Sequence, residues 1–374
     1  MKLVVQVKLL PTSVQASALE ATLRACNRAA TYASRIAVAR NLRDRNGLQR
    51  EVYWELKAGF GLSAQPAVRV VKKVVDAYAA VRGRSRRVRG GGGSAVVFRP
   101  DAAQPFDDRC LSWRYDARTV SIWTVEGRLK GLRFACSPEQ LKTLVQYRKG
   151  ESDLVRRGGK WFLVATCDVP EPDAYAPVDW IGVDRGIVNL ATTSDGSNFQ
   201  GRRLGRCRRW QARKRAELQR KGTRSTTRRL ARHAGKEKRH ATQLNHRISK
   251  EIVLVAQRTG RGIAVEELGG IRERVRPRRD QRGTFSSWPF HQLGQFLAYK
   301  AKRAGVPFLE VDAAYTSQRC PRCGHTERAN RPGRDRFCCR RCGLAGPADV
   351  VAGVNVRDRA RSAWVFVTAP ALSP

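Results

Sequence analysis

The 374-residue chain carries 73 Lys and Arg against 32 Asp and Glu, a formal net charge of +41. A length beyond what one core usually serves predicts two or three compact units, and so large an excess of bases predicts a polyanion, nucleic acid, as partner. With 41% hydrophobic residues and eight Trp the chain is no basic disordered tail, and no apolar run approaches the roughly 18 residues of a membrane span.

Residues 2–10 alternate as a strand does and lack a cleavage-like site, so they are read as structure rather than as a signal peptide, and a cytoplasmic protein is expected. Pro11-Thr12 then opens a helical pattern with Leu19, Leu23, Cys26, Ala30, Ala33 and Ile36 at three-to-four spacing, and further helices are predicted over 49–60 and 64–81. Residues 82–94, RGRSRRVRGGGGS, form a Gly/Arg linker that exposes Arg84, Arg86 and Arg87. From 95 to 169 the pattern turns to short β runs, at 111–115, 119–124, 129–135 and 160–169, which predict a small β-barrel or sandwich that the first strand could join. Trp113, Trp123 and Trp161 in these runs, and Trp288 later, suit core packing better than a stacking platform for bases.

The Pro-rich stretch 170–177 is the clearest boundary. Beyond it come a buried strand at 180–183, a hairpin partner at 188–194, a basic helical region over 203–257, a strand at 262–265, a helix over 288–304 and a strand at 307–311. A Cys-rich module and a last helix from Ala348 close an α/β order. The charge follows these divisions: +14 over 1–100, −1 over 101–200, +17 over 201–250 and +11 over 251–374. A block as basic as 201–250 is too polar for core helices and needs a polyanion or a solvated position, and its +17 favours the polyanion over a merely solvated face; Arg208, Arg209, Arg213, Lys214, Arg228 and Arg229 are its candidate nucleic-acid contacts. The apolar stripe Leu244, Ile248, Ile252 and Val255 packs on the sheet, with His246 a packed residue rather than a catalytic one.

Five of the ten cysteines fall within 320–342. Cys320-Pro-Arg-Cys323 and Cys339-Arg-Arg-Cys342 are two CxxC knuckles, each followed by Gly (Gly324, Gly343), and four thiolates so spaced predict a structural Zn²⁺ site. Cys338 is a spare thiol and His325 a weaker ligand candidate. Arg328, Arg331, Arg334 and Arg336 in the intervening loop suit either a phosphate contact or a solvated face.

Asp184 ends one apolar run, Glu266 ends another and Asp349 opens the final helix. Carboxylates converging from separate elements at a sheet end are what a two-Mg²⁺ phosphodiesterase site needs. Glu267, Asp195, Glu310 and Asp312 are comparable decoys.

The segments IGVDRGIVNLATTSDG, IAVEELGGIRER and YTSQRCPRCG through FCCRRCGLAGPADVVAGVNV resemble the three RuvC motifs and inserted zinc ribbon of the TnpB (transposon OrfB) family, relatives of compact type V CRISPR effectors. The resemblance implies an α/β RNase H-like (RuvC) nuclease domain over 178–374 with a zinc ribbon at about 315–347. It further implies a wedge-like β-barrel from 1–10 and 95–170, and a helical recognition insertion with basic linker over 11–94. Asp184, Glu266 and Asp349 would then be catalytic Mg²⁺ ligands of an RNA-guided DNA endonuclease encoded by a transposable element. Its partners would be a guide RNA from the transposon end and target double-stranded DNA, with no membrane, in a bacterial cytoplasm and nucleoid-associated when bound to DNA; a monomer is favoured. The third motif usually reads D-x-N-A-A-x-N-I; here Val351 replaces the Asn and Gly353 an Ala, while Asp349 and Asn355 are kept, which implies altered packing near the third acid. A nuclease-inactive RNA-guided DNA-binding regulator and a transposition-associated DNA-binding protein are the alternatives. None of the five His forms an HxH pair, so relaxase chemistry is not offered. Arg185, beside the first acid, suits a scissile-phosphate contact or a salt bridge.

Overall fold

The computed structural model describes residues 1–42, 44–85, 94–270, 276, 282, 285 and 290–368. The chain divides into two compact units, Met1–Pro170 and Glu171–Pro374. Arg86, Arg87 and Trp288 lie outside the described residues, and of Arg84 only the backbone is described.

In the first unit β1 (Lys2–Leu9) buries Val5, Val7 and Leu9 on one side, as period-2 alternation requires. It pairs antiparallel with β7 (Lys160–Asp168) on one edge and β5 (Gly127–Ala135) on the other. With β2 (Gln104–Phe106), β3 (Leu111–Arg114), β4 (Thr119–Thr124) and β6 (Arg148–Arg157) they form one sheet in the order β2-β6-β7-β1-β5-β4-β3. The edge strands β2 and β3 are joined by a tight turn, in which the Cys110 and Leu111 amides donate to the Asp107 carbonyl at 3.0 and 2.8 Å. Phe106 and Leu111 enter the same core as Val7, Leu132 and Leu163, so the sheet curls until its edges meet at that corner. Trp161 is buried in this core and Trp113 and Trp123 pack against it partly buried, which favours packing over base stacking.

Leaving β1, the chain enters α1 (Ser13–Ala39) through a capping box: Thr12 accepts from the Gln15 amide at 3.3 Å, and the Gln15 side chain accepts from the Thr12 amide at 3.0 Å. Helix α1 buries Cys26, Ala30 and Ala33 against α2 (Arg45–Ala58) and α3 (Ala64–Ser85), whose Leu48, Val52, Val70 and Val74 complete a second core. Asp44 caps α2, starting it earlier than the apolar spacing suggests. One helix, α4 (Pro138–Tyr147), interrupts the β region unannounced by periodicity.

The second unit is built on a five-stranded sheet of order β10-β9-β8-β11-β12, from β8 (Trp180–Asp184), β9 (Asn189–Thr193), β10 (Asn198–Gln200), β11 (Gly262–Glu267) and β12 (Phe308–Asp312). The first three run antiparallel, whereas β8, β11 and β12 are mutually parallel. Both faces of β8 and β11 are covered, which is why their sequences read as unbroken apolar runs rather than alternations. Ile181, Val183, Ile263 and Val265 face a core completed by α7 (Lys236–Arg258) and α8 (Phe290–Arg303). Trp180 and Ala264 face the other way, against Val356 and Ala360 of α9 (Ala348–Thr368). The basic region holds α5 (Arg202–Lys221), α6 (Arg224–His233) and α7, separated where Gly222 and Gly235 adopt left-handed backbone at φ 60° and 78°.

Helix α9 lies directly on β8. A Cβ added to Gly182 would sit 1.9 Å from the Gly353 carbonyl oxygen and 2.5 Å from the Arg357 nitrogen, so backbone meets backbone at a Gly–Gly crossing. Gly353 is itself confined: its Cβ would lie 3.0 Å from the Ser194 nitrogen.

Candidate metal centres

The period-2 alternation that sets the sheet faces also aims the acids. Asp184 and Glu266 share parity with Trp180, Gly182 and Ala264, so both carboxylates leave the ends of adjacent parallel strands on the α9 side, where Asp349 occupies the first turn of that helix. Glu267 has the opposite parity, which removes it as a rival. Other decoys are already committed: Asp195 pairs with Arg261 at 2.8 Å, and Asp312 accepts from the Ala314 amide at 3.0 Å.

Asp184 feels the other two acids. Burial, then the charges of Glu266 and Asp349, push the Asp184 carboxyl well above the usual carboxylate range, with Arg331 and Arg185 opposing. Burial likewise raises Glu266, which is 7% exposed, against the Thr316 hydroxyl that donates to its Oε1 and against the nearby Arg185, Arg359 and Arg331. Asp349 is oriented on both oxygens: Asn189 Nδ2 donates to Oδ2 at 2.8 Å and Arg331 Nη2 to Oδ1 at 3.2 Å. Hard oxygen donors are what a divalent cation takes, and its charge would relieve the repulsion at Asp184, although among the described residues only the four cysteines gather their ligand atoms within 4.8 Å of one another.

Asn355, buried in α9, donates to the Thr316 carbonyl at 2.7 Å and the Arg319 carbonyl at 2.8 Å. Because Thr316 in turn holds Glu266, the helix that carries the third acid also steadies the second. The Val351 departure has its own reason: the side chain packs with Phe337, Ala348, Cys320 and Cys339 in the small core beneath the cysteines. Gly353 serves the α9–β8 crossing, and neither change displaces Asp349 from its partners.

The cysteine module carries a two-stranded ribbon, β13 (Arg336–Cys338) and β14 (Ala345–Pro347). Cys320, Cys323, Cys339 and Cys342 place their sulfurs all within 4.8 Å of one another, with Cys320–Cys342 at 3.5 Å and Cys323–Cys339 at 3.6 Å. A tetrahedron with Zn–S bonds of about 2.3 Å has S···S edges of about 3.8 Å, whereas a disulfide brings sulfurs to about 2.05 Å, so the set fits a metal. Gly324 and Gly343 take φ of 73° and 71°, closing each knuckle with its amide on the carbonyl of Cys320 and Cys339 respectively. Although burial raises it, Cys339 is brought down to about 6 by the Cys342 and Arg341 backbone amides and the neighbouring thiols. His325 pairs with Glu327 at 3.1 Å instead of joining the set, and Cys338 stays outside it.

The basic candidates divide. Arg208, 13% exposed at its side chain, is paired with Glu237 at 3.0 Å, which weakens its claim as a nucleic-acid contact, and Lys214 pairs with Glu217 at 2.9 Å. Arg209, Arg213, Arg228 and Arg229 are exposed. Trp210, 49% exposed, lies 5.9 Å from the His233 ring. His246 stacks on Phe296 at 3.9 Å, a packing role. Among the described residues no helix is long and apolar enough to cross a membrane.

Residues 165–269 match the transposon OrfB family described as "Probable transposase", and residues 290–356 match the family described as "Cas12f1-like, TNB domain". Over 113 residues the chain is 40% identical to the CRISPR-associated endodeoxyribonuclease Cas12f1 of Sulfoacidibacillus thermotolerans, which covers 30% of this chain and 25% of that protein. Over 138 residues it is 32% identical to a TnpB-like protein of Methanocaldococcus jannaschii, 37% of this chain and 49% of that one. The chain thus spans between a quarter and about half the length of these relatives. Among solved structures, a Cas12f1–sgRNA–target DNA complex superposes with a TM-score of 0.59 at 15% identity, over 90% of this chain and 82% of that one. CasPhi-2 (Cas12j) bound to crRNA and phosphorothioate DNA gives 0.52 at 11%, over 100% and 92%. The resemblance to TnpB and Cas12f1 proteins is shown in sequence, and the fold is that of these compact effectors.

Proposed function

We propose that this relative of TnpB and Cas12f1 is an RNA-guided DNA endonuclease of a transposable element, with a RuvC-like site in residues 178–374 hydrolysing phosphodiester bonds. The observation that carries the reading is the convergence of Asp184 and Glu266, from the ends of adjacent parallel strands, with Asp349 on the helix that crosses them. Those three carboxylates would hold Mg²⁺ ions, which when bound would acidify a water and neutralise charge on the phosphate. Asn189 and Arg331 keep Asp349 in place and Thr316 does the same for Glu266. Arg331, beside Asp349, also brings positive charge to where a phosphate would lie. No separate protein base would be required, because a water on bound Mg²⁺ would already be acidified.

The four cysteines would hold Zn²⁺ as a structural ion that organises the loop presenting Arg331. The curled sheet of the first unit acts as a wedge-like domain, with α1–α3 and the basic linker as its recognition insertion, engaging a guide RNA from the transposon end. Base pairing then selects the DNA, and the protein needs to read only backbone shape and a few base edges. Exposed arginines of α5 and α6 supply phosphate contacts. The test is cleavage of a supercoiled plasmid bearing a guide-matched target by purified protein with its copurifying RNA. Cleavage should require Mg²⁺ and vanish in Asp184→Ala. Tight RNA-dependent DNA binding by the wild type with no cleavage at any Mg²⁺ concentration would make the protein a binding regulator.

A further inference from the structure

Arg185 follows the first acid, yet its side chain turns neither to solvent nor to a carboxylate. It is buried, with the residue 5% exposed; Nη1 donates to the Phe290 carbonyl at 3.2 Å, Nη2 donates to the main-chain carbonyl of Glu266, and Nε has no partner. Among the described residues it makes no ion pair. A guanidinium buried on such terms is costly, so the fold must gain something by keeping it. Room for it comes from Gly294, one turn into α8, where a Cβ would lie 2.3 Å from Nη1 and 3.4 Å from Cζ. The groove on that side is lined by Arg185, Phe290, Gly294 and Gln295.

We infer that Arg185 is a positioning residue for the acid site. By bridging the carbonyls of Glu266 and Phe290 it pins the end of β11 to the first turn of α8, and so fixes the backbone from which the Glu266 carboxylate projects toward Asp184. Thr316 holds that carboxylate from the opposite side of the strand, so the acid is fixed at both main chain and side chain. Only a planar fork can span two carbonyls; an ammonium delivers the same charge to one. The inference rests on the proposed metal-holding role of the three acids.

The probe is Mn²⁺, titrated into full-length protein and followed by electron paramagnetic resonance, with zinc content and circular dichroism confirming that each variant is folded. Arg185→Lys and Gly294→Ala should each weaken Mn²⁺ binding roughly tenfold, as loss of an outer support does. The double variant should be no weaker than either single one, because both break the same bridge. If Arg185 serves only to balance charge, Arg185→Met will tighten Mn²⁺ and Arg185→Lys will match the wild type, and the inference is overturned. It is equally overturned if Gly294→Ala lowers the melting temperature while leaving Mn²⁺ affinity unchanged. Should the wild type bind no Mn²⁺ that Asp184→Ala abolishes, the acid site itself fails and the positioning role falls with it.

Discussion

Replacing Gly182 by Ala puts a methyl group where β8 and α9 touch through bare backbone. The new carbon would start 1.9 Å from the Gly353 oxygen and 2.5 Å from the Arg357 nitrogen, distances that real Cβ atoms essentially never show. The two backbones must separate by about 1 Å before the approach is tolerable, and neither neighbour is a flexible side-chain tip. Overpacking of a rigid interface costs about 3 kcal/mol, the upper end of what inserted methylenes do. For a unit the size of Glu171–Pro374, this corresponds to a fall in melting temperature of roughly 6–12 °C. The same shift carries Asp349 away from Asp184 and Glu266, and a misplacement of about 1 Å can cost about a hundredfold in rate. Differential scanning calorimetry of the full chain, with plasmid cleavage in parallel, measures both. Gly353→Ala is the internal control: its nearest neighbours, at 3.0 to 3.3 Å, require only a few tenths of an ångström of give. A Gly182→Ala protein melting within 2 °C of the wild type, or a Gly353→Ala protein that suffers more, would refute the crossing as described.

Because burial and neighbouring acids raise Asp184 above its unfolded value, the native state binds more protons between those two values, and metal-free stability falls as pH rises through that window. Asp184→Asn should therefore raise the metal-free melting temperature at pH 7 and lose this advantage near pH 3; an unchanged or lowered temperature at pH 7 would mean the acids are not repelling. Chelation should release one zinc per chain and lower the melting temperature; Cys323→Ser should reproduce this and Cys338→Ser should not, with zinc content by mass spectrometry as the measure. Removing Arg209, Arg213, Arg228 and Arg229 together should reduce the salt slope of nucleic-acid binding by about 0.7–0.9 for each phosphate that is no longer neutralised. An unchanged slope in filter binding would return those arginines to a merely solvated face.

Much of the second unit can be read from the chain because its signals are local. An apolar run ended by an acid marks Asp184 and Glu266, and CxxC spacing marks the ribbon. What decides between Glu266 and Glu267 is which sheet face α9 covers, and nothing local to β11 states that. Helix α4 does carry a local signal, Ser137-Pro138-Glu139-Gln140, a capping box with Pro in the first turn, but the β patterning on either side masks it. The role of Arg185 is not legible, since its burial depends on a missing side chain at Gly294, distant in sequence. Nor is the pairing of Arg331 with Asp349, which spans the whole ribbon hairpin. Val351 and Gly353, departures when set against a motif, are explained by the ribbon core and the backbone crossing.

The backbone crossing also sets a timetable for synthesis. Strand β8 leaves the ribosome long before α9 is made, and at roughly 5–20 residues per second Asp184 waits about 10–30 s for Asp349. Throughout that interval the side of the strand carrying Trp180 and Gly182, joined partway through by Ala264, lacks the helix that will cover it, and the glycine that later admits the helix so closely offers nothing to shield the strand. The nascent chain therefore holds a sticky, open sheet until one late helix seals it and brings Asp349 to the side that carries Asp184 and Glu266, and a chain stopped before that helix is prone to aggregate.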